Sequence, residues 1–246
     1  MKKPPPLRAL ALLLALAASG SAQAIPLTDL LAQGGSIMAG DKLFDQWTSS
    51  QVTSGRHTVN TDNIDVTALT DGGMNPGPGL SFSILNNEFS VTGDGIYAFT
   101  DFTFGFHVST LGNLKIKDNS LNLVGGVLSG MTSDLGFYIL EDVGTSAGAS
   151  NLGTKNVEYS WLFDDPNNPG NPLFTSKLSD SASFTPQDEI FVTKNILVWA
   201  TDPGETANLT GFSQRFSQVP EPGTLLLFVP ALAALVGVRR RKATTA

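Results

Sequence analysis

Residues 100 to 108 place Phe102, Phe104, Phe106 and Val108 on one side of an extended chain, with Asp101, Thr103, Gly105 and His107 on the other. Successive side chains of a strand point to opposite faces. The pattern therefore predicts an antiparallel strand with one face on a core and the other toward water. Such a strand needs sheet partners, and the sheet's apolar face needs a second layer to cover it. The chain supplies candidates for both. Residues 35–47 predict two short strands around the Gly40-Asp41 turn, and residues 63–69 and 80–85 predict two more. Leu114 and Ile116, then Leu121 and Leu123, alternate on either side of an expected Asp118-Asn119 turn. Residues 137–140, the set Val157, Tyr159, Trp161 and Phe163, and residues 182–184, 189–193 and 195–200 continue the series. Residues 206–216 read as a final edge strand. Residues 72–79, 144–150 and 164–172 are rich in glycine, proline and asparagine and predict loops. A short helical turn within residues 25–33, capped by Thr28 or Asp29, is the one helical signal in this body.

The two ends of the chain differ from this body. Lys2, Lys3 and Arg8 precede an apolar run, and Ala22-Gln23-Ala24 supplies small residues at positions Ala22 and Ala24. This is the pattern of a secretory signal peptide over residues 1–24, cut before Ile25 and delivered to the Sec translocon. At the other end Pro220, Glu221 and Pro222 precede an uncharged apolar segment, residues 224–238. Arg239, Arg240, Arg241 and Lys242 follow it. Apolar residues enter a bilayer and clustered cations stay on the cytoplasmic side, which predicts a transmembrane helix with a membrane-orienting basic cluster. Fifteen helical residues reach about 22 Å against a hydrocarbon core of about 30 Å, so the expected anchor is marginal. The expected organisation is a signal peptide (1–24), an exported β-sandwich (25–218) and a sorting and anchor segment (219–246). The fold class is all-β: an antiparallel β-sandwich, jelly-roll-like, with an N-terminal signal peptide and one C-terminal transmembrane helix.

The tail, with Pro-Glu-Pro at 220–222, its apolar segment and its arginine cluster, closely resembles the PEP-CTERM sorting signal of Gram-negative bacteria. That tail is also labelled an ice-binding protein C-terminal domain. The resemblance covers about the last tenth of the chain. It implies recognition by an exosortase-type processing protease of the inner membrane, cleavage near Pro-Glu-Pro, and association with exopolysaccharide and biofilm matrix. Transient anchoring by the helix, then release to the cell surface or outside, is the implied route. Ice binding itself would call for a flat Thr-x-Thr array, and residues 100–103 offer one such pair at most.

Charge and composition narrow the function classes. Setting aside the three cations of the leader, the four of the tail and Glu221 leaves eight basic and 21 acidic residues between them, a net charge of −13. That disfavours nucleic acid and anionic lipid headgroups as partners of the body, and no nucleic acid partner is expected. It suits divalent cations or neutral glycans. The chain has no cysteine, so an exported form has neither disulfides nor a thiol nucleophile.

The candidate chemistry is sparse. His57 and His107 are the two histidines, without Gly-x-Ser-x-Gly and without zinc-ligand spacing. His107, near Asp101 on the polar side of its strand, reads as solvated, and no catalytic residue is predicted. Asp164 and Asp165, in an Asp-Asp-Pro-Asn-Asn loop, are the best calcium candidates, although such residues also simply make turns. No other cofactor is expected. Of the tryptophans Trp47, Trp161 and Trp199, Trp161 is in phase with core residues and Trp199 is out of phase and expected to be exposed. The expected function is a non-catalytic structural or interaction role at the surface or in the matrix. The alternatives are a glycan-binding or polysaccharide-modifying domain and a permanently membrane-anchored envelope protein.

Overall fold

The computed structural model describes residues 23–52 and 55–220. In chain order it contains β1 (Ile25–Pro26), the short helix α1 (Leu27–Leu31), β2 (Ile37–Ala39), β3 (Lys42–Gln51), β4 (Ile64–Leu69), β5 (Gly79–Ile84) and β6 (Phe89–Thr92). There follow β7 (Ala98–Thr110), β8 (Leu114–Ser129), β9 (Leu135–Gly144), β10 (Gly153–Leu162), β11 (Leu173–Lys177), β12 (Ser179–Gln187), β13 (Glu189–Ala200) and β14 (Thr206–Pro220). Two antiparallel sheets of seven strands result. The first runs β1-β4-β5-β14-β8-β12, with β6 also on β14; the second runs β11-β10-β9-β13-β7-β3-β2. The all-β antiparallel sandwich expected from the alternation is what the chain forms.

The aromatic alternation sits at its centre. Phe102, Phe104, Phe106 and Val108 of β7 are all buried. Phe104 meets Phe82 of β5 with ring centroids 5.4 Å apart, and Phe82 in turn stacks on Phe212 of β14 at 4.6 Å. Contacts between the two sheets thus knit the layers through rings, each worth roughly 2–3 kcal/mol of burial. The short strands β5 and β6 share one edge of β14 because Asn86 and Asn87, both at positive φ, turn the chain tightly between them.

Several expectations are corrected. Among the described residues no helix is long and apolar enough to cross a membrane, so the fold class does not stand with a transmembrane helix in it. The one α-helix among the described residues, α1, has five residues, a rise of about 8 Å where a span takes about 20 residues. The segment 224–238 expected to form that helix lies outside the described residues. The α1 N-cap is Pro26, without a side-chain cap, rather than Thr28 or Asp29. The expected Asp118-Asn119 turn is the uninterrupted middle of β8. The strands expected on either side of Lys194 are one strand, β13. Finally, β14 is central rather than an edge, with β8 along one side and β5 and β6 along the other.

Candidate functional site

At one end of the sandwich three connections lie side by side: residues 130–134 between β8 and β9, 163–172 between β10 and β11, and 201–205 between β13 and β14. They frame an open, largely apolar groove of about 580 Å³ lined by Met131, Thr132, Trp161, Phe163, Asp164 and Pro172, together with Gly170. A second depression of about 360 Å³ adjoins it and shares Thr132, Phe163 and Asp164. Ser133, Asp134, Thr201 and Asp202 complete its wall. Phe163 therefore stands between the two, and hydroxyl- and carboxylate-bearing residues are among those that line the second. At 65% exposure it presents a ring to solvent.

The frame is set by hydrogen bonds from the loops to one carboxylate. Glu205, 2% exposed, accepts from Thr132 Oγ1 at 2.9 Å and from Ser133 N at 2.7 Å. It also accepts from Thr132 N and Ser133 Oγ through close contacts. Burial alone would raise the Glu205 carboxyl's pKa, but the hydrogen bonds from Ser133 and Thr132 outweigh it and hold it below the ordinary carboxylate value. The approach is close enough that only glycine fits at Gly130, which has φ of +98° and where a Cβ would meet Glu205 Cγ at 2.7 Å. Asp134 ties the second wall down by accepting from Phe163 N at 2.7 Å, and Thr201 Oγ1 donates to the Asp134 carbonyl at 2.9 Å. Trp161 is packed against the core, yet its indole N–H is a buried donor with no partner among the described residues. An exposed ring set on hydrogen-bonded loops makes a surface suited to binding.

The residues singled out in the sequence are placed as follows. Asp164 and Asp165 serve their own loop: Asp164 Oδ1 accepts from Gly170 N at 2.6 Å and Asp165 Oδ1 from Asn167 N at 2.8 Å. Among the described residues no group of three or more His, Asp or Glu side chains is gathered to hold a metal ion. Pro220 is the exposed last residue of β14, in register with Leu114. Ala24 is exposed immediately before β1. Ala22, Glu221, Pro222, Arg239, Arg240, Arg241 and Lys242 lie outside the described residues.

His107 is not solvated and does not meet Asp101. It is 6% exposed, with Nδ1 at 2.7 Å from Asp45 and Nε2 at 3.2 Å from Glu189. Its ring lies against Phe191 at 4.8 Å. Both ring nitrogens face carboxylates, so neither is placed to take a proton from a nucleophile. Trp199 is buried at 8% rather than exposed. Although out of phase, it covers Gly136 of the neighbouring strand: a Cβ there would meet the Trp199 ring at 2.7 Å. Trp47 is buried against Phe106 at 4.7 Å. The groove itself combines Trp161 and Phe163, legible as aromatic positions in phase along one strand, with loops whose meeting the sequence does not disclose.

No family model matches the chain, and no curated protein is found to match it. Among solved structures the chain is similar to TmCBM61 in complex with β-1,4-galactotriose, at 13% identity over 70% of this chain and 89% of that one, with a TM-score of 0.27. It is also similar to endoglucanase 3 of Trichoderma harzianum, from family GH12, at 10% identity over 70% and 98% of the two chains, with a TM-score of 0.19. Likenesses at these scores have no bearing on what this chain binds or does.

Proposed function

We propose that this is an exported protein of the cell surface or extracellular matrix, sorted through its PEP-CTERM-like tail, whose β-sandwich binds neutral glycan without chemical turnover. The binding half rests on the groove at Trp161 and Phe163. Its exposed ring offers an apolar face to the C–H surface of a pyranose, and hydroxyls and carboxylates at Thr132, Ser133, Asp134 and Asp202 stand beside it to take sugar hydroxyls. The net charge of −13 repels anionic polymers and leaves neutral ones as the natural class. Turnover is not assigned, because Asp134 directs an oxygen to the Phe163 N–H of the neighbouring loop and Asp164 one to the Gly170 N–H of its own loop, rather than standing as a free acid–base pair.

Affinity electrophoresis in gels containing neutral polysaccharides tests this. The protein should be retarded in at least one of them, and Phe163→Ala should weaken the retardation about tenfold, the equivalent of ~1.4 kcal/mol, with an unchanged melting temperature. Equal retardation of the variant, no retardation in any neutral polysaccharide, or the appearance of new reducing ends would refute the reading. The sorting half is supported by the residues of the tail. It is tested by mass spectrometry of the released protein, and an intact basic end at Arg239 to Lys242 there would overturn it.

A further inference from the structure

Midway between the sheets, away from the groove, four polar side chains from four strands converge on the carboxylate of a fifth. Glu141 of β9 lies in register with Lys155 of β10 on one side and Lys194 of β13 on the other. Asn119 of β8 and Gln214 of β14 approach it from the facing sheet. All five are buried. Glu141 Oε1 accepts from Lys155 Nζ at 2.6 Å, from Asn119 Nδ2 at 2.6 Å and from Gln214 Nε2 at 2.8 Å. Lys194 Nζ holds the other oxygen in a close contact, with the Phe212 ring 5.7 Å away. Two amines and one carboxylate cannot all be charged in so dry a place, because each unpaired buried charge costs several kcal/mol. Burial lowers the pKa of both lysines, Lys194 well below its ordinary value and Lys155 to about 7, the latter partly restored by Asp180 and Asp142. A neutral amine, a nucleophile, is thus held beside a carboxamide across one shared carboxylate oxygen. The Asn119 carbonyl oxygen is itself buried without a hydrogen-bond partner among the described residues.

We propose that Lys155 and Asn119 join in an intramolecular isopeptide bond, with Glu141 as the proton carrier. The neutral Lys155 Nζ attacks Asn119 Cγ, and a new Nζ–Cγ bond forms. Glu141 takes the proton from Nζ and passes it to Asn119 Nδ2, the Cγ–Nδ2 bond breaks, and ammonia leaves. One amine and one primary amide become one secondary amide and ammonia, with no oxidant, reductant or co-reactant. The atoms that must share the proton, Lys155 Nζ and Asn119 Nδ2, are the two nearest to Glu141 Oε1. Asn119 lies on the sheet that carries β14, and Lys155 on the other. The bond therefore ties the two layers of a sandwich that has no cysteine with which to do so. This inference is independent of glycan binding and of sorting.

Tandem mass spectrometry of a tryptic digest of the full-length purified protein decides the matter. No lysine or arginine lies between Asn119 and Lys155, so the expected product is a single looped peptide of residues 118–177, uncut after Lys155 and lighter than its linear sequence by one ammonia. Lys155→Arg and Glu141→Gln should each return linear peptides 118–155 and 156–177 at their full masses. The wild-type digest is decisive by itself should either variant fail to fold. Recovery of peptide 118–155 at its full mass, cut after Lys155, would overturn the proposal, as would a bond between any other pair of the cluster.

Discussion

Replacing Glu205 by glutamine isolates what holds the groove's frame together. The carboxylate gathers Thr132 and Ser133 through both their backbone N–H groups and both hydroxyls, and Asp202 N donates to it at 3.3 Å. Hydrogen bonds to a charged acceptor contribute about 1.5–3 kcal/mol each and neutral ones about 0.5–1.5 kcal/mol. Glutamine keeps one oxygen for the Thr132 and Ser133 amides but turns an NH₂ toward the Asp202 N–H, where two donors meet. Losing charge assistance on two or three bonds, with that clash added, destabilises the fold by about 3 kcal/mol. In a domain of this size, at roughly 2–4 °C per kcal/mol, the melting temperature falls by about 6–12 °C.

The pH dependence provides an internal control. Because Glu205's folded pKa lies below its unfolded value, its contribution is fully present above the ordinary carboxylate pKa and is lost as pH falls through the lowered one. Urea unfolding of wild type and Glu205→Gln at neutral and acid pH should therefore show a stability gap that is full at pH 7 and closes in acid. A gap below about 0.5 kcal/mol at pH 7, within the range of ordinary surface changes, would refute the reasoning. So would a gap that stayed constant into acid. Since Thr132 lines the groove, glycan retardation should weaken with the same variant.

Three further outcomes follow from packing and titration. Phe82→Ala removes a ring stacked on Phe212 and should cost about 3–5 kcal/mol in urea unfolding. Gly136→Ala places a methyl where Trp199 lies, so it should shift tryptophan emission to the red and cost about 1–3 kcal/mol. In Asn119→Ala the Lys155 amine cannot be acylated at that position. Its folded pKa of about 7 then lies below the unfolded lysine value, so the unfolded chain binds more protons between the two and stability rises with pH across that window. Wild type, with Lys155 acylated, should show a smaller rise over the same range by urea titration; an equal rise would count against the bond.

The alternation that predicted the sandwich also contained the buried cluster, but in a form that residue type obscured. Lys194 stands in phase with Ile190, Val192, Ile196 and Val198, and Glu141 with Phe137, Ile139 and Val143. Lys155 keeps step with Val157, Tyr159 and Trp161, and Gln214 with Phe212 and Phe216, while Asn119 falls into phase with Leu121. Polarity alone makes Lys194 look like a break between strands and Asn119 like a turn. Period fixes the face a side chain occupies, and polarity only sets what that face must supply to it. The out-of-phase Trp199 escaped for the opposite reason: burial on an outer face needs a neighbouring glycine to lie over, and Gly136 is a partner only through strand register, which a single chain does not display. The groove was partly legible, since Trp161 and Phe163 continue one phase past the end of β10. Its walls were not, because three loops far apart in sequence meet there through Glu205, and nothing local to residues 130–134 shows which carboxylate will gather them. Polar residues that hold an inward phase within an apolar series thus mark buried chemistry in a β-sandwich, whereas sites built by loops at its ends emerge only with the fold.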